Sequence, residues 1–329
     1  MRPPPLAALI LAFTPVAFWG CRDGPRLEQS GVPEASPGIQ AVSLLGDSLT
    51  PPVAAPDVAS RQREQLNEAW AEYRRNPSSA DAAIWYGRRL AYLGYYREAI
   101  AAYTEAIALH PDDARLYRHR GHRYITTRRL REAIEDFATA AKLVQGRPDE
   151  VEPDGQPNAR NIPTSTLQSN IWYHMGLAHY LRGDFRRALS AYREDLKVAT
   201  NPDMLVATTY WLYMTLRRIG EEVEARAVLE PITGDLEIIE NGSYHRLLLM
   251  FKGELPADSM LAALESDDLI ENVTAGYGIG NWHFINGRAA EAEAVWNRIL
   301  QSPQWAGFGY IAAEAEAART RESGADGVR

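Results

Sequence analysis

The stretch GRRLAYLGYYREAIAAYTEAIALHP, Gly87 to Pro111, decides the fold. Apolar residues recur three and four apart on both sides of Gly94, and Pro111 closes the run. This predicts two helices joined by a tight turn. The spacing returns 34 residues later, where Gly87, Ala99, Tyr103 and Ala106 are answered by Gly121, Ala133, Phe137 and Ala140. A fixed period of this length points to stacked helix pairs, because one pair alone cannot bury its apolar face. Gly87, Ala99 and Ala106 are small enough to let two helices approach, and Tyr103 and Phe137 are large enough to fill the space between units.

Working outward, units fall at 80–113, 114–147 and 169–202, the third carrying Trp172, Gly176, Gly183, Ala188 and Tyr192. Looser units follow at 206–238 (Gly220, Ala225, Leu229), 239–272 (Gly253) and 273–306 (Gly280, Gly287, Ala292, Trp296). Residues 61–76 read as an opening helix, and WAGFGYIAAEAEAAR from Trp305 as a closing one. Gly276-Tyr277-Gly278-Ile279-Gly280 lacks a preceding strand and the spacing of a nucleotide loop, so close helix packing is the reading for it. The period and its residues resemble the tetratricopeptide repeat (TPR). That resemblance implies an all-α, right-handed solenoid of about six TPR-like helix pairs with terminal capping helices. It also implies first helices that line a concave face, and a non-catalytic scaffold that binds a protein or peptide.

The flanks read differently. MRPPPLAALILAFTPVAFWG, residues 1–20, has one early Arg and an apolar run too short to span a bilayer, so it reads as a signal peptide. Cys21 is the only cysteine and directly follows it. This resembles a bacterial lipoprotein signal, which implies lipidation at Cys21 and attachment to a membrane of the envelope; simple secretion is the alternative. Residues 21–60 are rich in Pro, Gly, Ser and Ala and read as a disordered tether. The opening helix and first two units then occupy 61–145. The insert 146–168, GRPDEVEPDGQPNARNIPTSTLQ, breaks the period with four prolines, and the remaining units and closing helix occupy 169–320.

One tetrapeptide tests the scaffold reading. Gly46-Asp47-Ser48-Leu49 resembles the nucleophile motif of GDSL esterases. Such an enzyme needs a base and oxyanion donors beside Ser48. That family carries Asp-x-x-His near its C-terminus, and none of the seven histidines here has Asp three residues before it. The fold is also wrong for it, and Ser48 falls in the Pro-rich segment. An esterase therefore stays a distant alternative, and the chain is read as no enzyme. No metal or cofactor is expected: His119 and His122 are crowded by Arg118, Arg120 and Arg123, which repel a cation, and no metal-binding motif occurs.

Charge narrows the partner. The chain of 329 residues carries a net charge of −8, which argues against nucleic acid. Yet ARLYRHRGHRYITTRRLR, Ala114 to Arg131, holds seven Arg, two His and no acid. Arg115, Arg118, His119 and His122 follow i, i+3, i+4, i+7 and form one helical stripe. Position in the repeat adds Arg88, Asn170, Tyr173 and His174 to the same face, with Trp85, Tyr92 and Tyr180 as aromatic walls. Paired Arg donors suit carboxylates and phosphates. The expected ligand is an anionic segment of a protein or peptide; the alternative is a small anion or glycan. The opposite reading is that acids of the insert (Asp149, Glu150, Glu152, Asp154) satisfy these arginines.

Overall fold

The computed structural model describes residues 38–257, 260 and 269–326; the signal peptide and Cys21 lie outside the described residues. Thirteen helices can be delineated among them. They are α1 (Pro56–Arg75), α2 (Ala80–Tyr92), α3 (Tyr96–Leu109), α4 (Ala114–Thr126), α5 (Leu130–Val144), α6 (Leu167–Leu181) and α7 (Phe185–Val198), then α8 (Pro202–Arg218), α9 (Glu222–Ala227), α10 (Gly242–Lys252), α11 (Leu269–Ile285), α12 (Ala289–Ile299) and α13 (Phe308–Asp326). Neighbours in sequence pack as pairs, and each pair stacks on the next, giving the all-α TPR-like solenoid. No described helix is long and apolar enough to cross a membrane.

The packing rule inside a pair is visible at single atoms. A Cβ on Gly87 would overlap the Tyr103 ring, and one on Gly280 would overlap the Trp296 ring. One on Gly121 would come within 2.9 Å of Phe137, and one on Gly176 within 2.5 Å of Tyr192. Four units thus set glycine on the first helix against an aromatic ring 16 residues later. Ala99, Ala133, Ala188 and Ala292 are fully buried where the helices meet. The fourth unit reverses the sizes, with buried Tyr213 and Leu229 in those places, and its second helix is only the short α9. Gly278 lies within α11 against Leu247, so that glycine run is helix packing. N-termini are capped by side chains where the sequence offers them: Ser79, Asp113, Thr166 and Asn201 each accept from a backbone amide of the first turn.

Between paired helices the chain turns through a left-handed residue, glycine at 94, 183, 220, 253 and 287. In the second unit that place is held by Arg128, at φ 63°. A side chain there costs about 1–2 kcal/mol, so something must hold it.

One expectation is corrected. The segment 21–60 is not a tether throughout, because residues 38–55 are folded onto the helices. β1 (Ala41–Val42) and β2 (Ser48–Leu49) pair antiparallel, with Ala41 opposite Leu49. Gln40 is buried, and its Oε1 accepts from Arg97 N at 2.9 Å at the start of α3. Thr50 O accepts from Trp305 Nε1 at 2.7 Å, and Pro51 packs against Gly94. Helix α1 then begins at Pro56. The GDSL tetrapeptide is part of this hairpin: Gly46 makes its turn at φ 97°, Leu49 is buried, and Ser48 stands exposed on a strand rather than in a tether.

The closing helix, α13, packs on the last pair, α11 and α12, as a cap does. It also reaches back along the stack, bonding to residues from four units. Arg128 donates to Glu314 (Nη2–Oε2 2.6 Å) and to Trp305 O at 2.9 Å. Arg218 donates to Glu316 at 2.7 Å, Arg319 donates to Leu181 O at 2.9 Å, and Tyr277 reaches Glu316 at 3.3 Å. Leu44 N of the hairpin also donates to Glu314. Gly309 lets α13 cross the backbone of α11 at Val273, and Gly309 to Glu316 are buried on every side.

Candidate functional site

The first helices of the units, α2, α4 and α6, line an inner face, and the insert is strapped across it. Prolines keep the insert from continuing α5, and its backbone is fixed by a few bonds. Glu152 N donates to Ser165 O at 3.1 Å and Leu167 N to Glu150 O at 2.9 Å. Asp149 accepts from Gln168 N at 2.9 Å. At one end Arg88 donates to Pro153 O and Arg89 to Gly155 O, both at 2.8 Å. At the other, Asn158 and Thr164 donate to Glu240, and Arg160 to Glu237. The strap therefore runs from the first unit to the loop before α10.

Beneath it lie most of the residues expected from the sequence. Arg118 is buried, with Nε 2.9 Å from Glu152 Oε2. Its Nη1 donates to His119 Nδ1 at 3.1 Å, which leaves the proton on His119 Nε2, 3.9 Å from Glu152 Oε1. Asn170 Nδ2 donates to the same Glu152 carboxylate at 3.1 Å and to Ser165 Oγ at 3.0 Å. Arg88 stacks on Trp85 at 4.6 Å and donates to Tyr92 Oη at 3.3 Å. His122 and His174 pack ring to ring at 4.5 Å, with Phe308 of α13 against both. His174 Nδ1 donates to Asn170 O at 2.6 Å, and Tyr173 Oη accepts from Trp211 Nε1 at 2.8 Å.

Two expected residues sit elsewhere. Arg115 is at the edge of the face, bound to its own helix cap Asp113 and to Asp81, both at 2.7 Å. Tyr180 is fully buried against Tyr277, so it walls no groove.

The electrostatics follow from burial. His119, His122 and His174 are all held well below the ordinary imidazole range, first by desolvation and then by neighbouring charges, Arg118 and Arg123 among them. All three are therefore neutral near pH 7. Arg88 and Arg123 also repel Arg118. Among the described residues, only Arg118 of these three has a carboxylate partner, Glu152. Of these three, Arg118 is thus the one paired from within the chain, by a single glutamate of the insert.

Sequence reasoning missed α13 in the interior and the clamp at Arg128. One signal was present: ALA-rich IAAEAEAA, Ile311 to Ala318, has no polar face beyond its glutamates, as expected of a helix enclosed on all sides.

Comparison with known proteins agrees at the level of the repeat. A family described as TPR repeat matches residues 87–126. No curated protein matches the chain. Among solved structures, YrrB, described as a TPR protein with an unusual peptide-binding site, is similar at 15% identity over 77% of this chain and 99% of its own, with a TM-score of 0.42. The nearly identical TPR-like repeats of a Podospora anserina kinesin light chain are similar at 13% identity over 74% of this chain and 98% of their own, with a TM-score of 0.41.

Proposed function

We propose that this protein is a non-catalytic scaffold that binds a protein or peptide partner, held in the bacterial envelope by a lipid on Cys21. The observation that carries the binding mode is Glu152. Arg118 and Asn170 engage its carboxylate, and His119 and Arg88 border it. The strap thus presents to the inner face the group that an acidic partner segment would present. Outside that contact its anchors are exposed and half-buried hydrogen bonds, worth about 0.5–1.5 kcal/mol each. A partner carboxylate displaces Glu152 and inherits its donors.

The test is crosslinked capture from native membranes followed by mass spectrometry. A partner captured by the wild type and lost in Arg118→Glu, at unchanged helicity, supports this reading. Replacing 149–160 by a short glycine linker should increase its capture. Equal capture by all three proteins rejects the inner face as the site. Cys21→Ser should release the protein from membranes; retention with unchanged mobility rejects the lipid anchor.

A further inference from the structure

A second cavity, of about 280 Å³, lies on the same face beyond Asn170. Its size is several times the ~30 Å³ that one water occupies in the liquid. Rings of Tyr173, His174, Tyr244 and Phe308 line it, and its lining contains one carboxylate, Glu240, and no lysine or arginine. The rings are held in place: Tyr244 stacks on Tyr210 at 4.5 Å, Tyr173 shares a hydrogen bond with Tyr244 at 3.3 Å, and His174 is neutral.

Glu240 accepts only from neutral groups, Asn158 Nδ2 at 2.8 Å and Thr164 Oγ1 at 2.5 Å. Asp154 of the strap feels its charge. Burial and then Glu240 push the Asp154 carboxyl up, against a weaker opposing pull from Arg88. Among the described residues no cationic side chain pairs with either carboxylate. Glu240 is thus the one charge in the lining and has no cationic partner among the described residues, whereas Asp154 lies outside the lining and feels Arg88. Aromatic faces attract organic cations through their negative π-surface, by about 0.5–2 kcal/mol each.

We propose that this cavity binds an alkylammonium group, its charge at Glu240 and its carbon chain against the rings. The group is either the side chain of a partner lysine or a free primary amine. This site shares Asn170 and His174 with the Arg118 face but none of its charged residues, and its test does not depend on the partner proposed there.

The experiment is titration of the full chain with n-butylammonium chloride at pH 7, followed by calorimetry, with n-butanol as the neutral control. Saturable binding of butylammonium and none of butanol is expected. Glu240→Gln should weaken it about tenfold, the effect of losing a close charge partner. The variant keeps one of the two acceptors that Asn158 and Thr164 use, and an unchanged melting temperature shows that it remains folded. The peptide acetyl-Gly-Gly-Lys-Gly-Gly-amide distinguishes the sources: tighter binding than butylammonium assigns the site to a protein lysine, and weaker binding to a free amine. Absence of saturable butylammonium binding overturns the proposal, as does butanol binding equally well. Affinity unchanged in Glu240→Gln overturns it too.

Discussion

Asp195 shows how a single buried group links the units. It is fully buried between α6, α7 and α8, accepting from Ser169 Oγ at 2.7 Å and lying 2.6 Å from Thr208 Oγ1. Thr208 also donates to Met204 O at 2.8 Å. Thr208 has one hydroxyl proton and faces two acceptors, Asp195 Oδ2 and Met204 O. Desolvation raises the Asp195 pKa to about 7. A raised carboxyl pKa means the fold prefers the protonated form. Its contribution to stability is therefore full below about pH 4, the unfolded value, and is lost as pH rises to about 7. Asp195→Asn should flatten this loss: the melting temperature of the variant minus that of the wild type should rise between pH 4 and 8. A constant difference would place the titration elsewhere. Arg128 offers a second test, because glycine holds its place in the other turns. Arg128→Gly relieves about 1–2 kcal/mol of backbone strain but strands buried Glu314, which costs about 3–5 kcal/mol. Denaturant unfolding should show a net loss of roughly 2–3 kcal/mol, partly restored by adding Glu314→Gln. A gain in stability would mean that the clamp contributes nothing.

At the scale of elements, legibility in the sequence follows the span of the contact. The helix pairs were legible because Gly121 meets Phe137 only 16 residues on, and one period displays both partners. Phe137→Ala should accordingly cost about 3–5 kcal/mol, while Glu105→Ala on the exposed face should leave the melting temperature nearly unchanged. The interior position of α13 was not legible. Its clamp joins residues 186 apart, and no local pattern carries that information. The hairpin was missed for another reason: strands of two residues have no period, and Pro51 and Pro52 read as tether although they pack on Gly94. Of the candidate site, the helical register placed Arg118, His119, Asn170 and His174 on one face. Which acid of the insert would meet them depended on loop geometry, and Glu152 rather than Asp149 or Glu150 was fixed only there. Deleting 149–160 should therefore lower stability modestly while leaving helicity intact. A large loss of helicity would make the strap part of the core.

For the described molecule as a whole, α13 changes how stability is shared. An open solenoid is a chain of nearest-neighbour contacts, and its ends can unfold alone. Here one helix bonds to residues from four units and to the N-terminal hairpin, so the units should unfold together. A single urea transition, coincident by circular dichroism and tryptophan fluorescence, is expected. Truncation after Gln304 should split or broaden it and expose apolar surface to a hydrophobic dye. The same feature imposes an order on biosynthesis. Arg128 and Arg218 leave the ribosome long before Glu314 and Glu316, the two acids that neutralise them inside the fold. Until α13 emerges, the growing chain lacks the acids that pair with these two guanidinium groups inside the fold. The nascent protein should therefore remain open to proteases until α13 has emerged, and then close in one step.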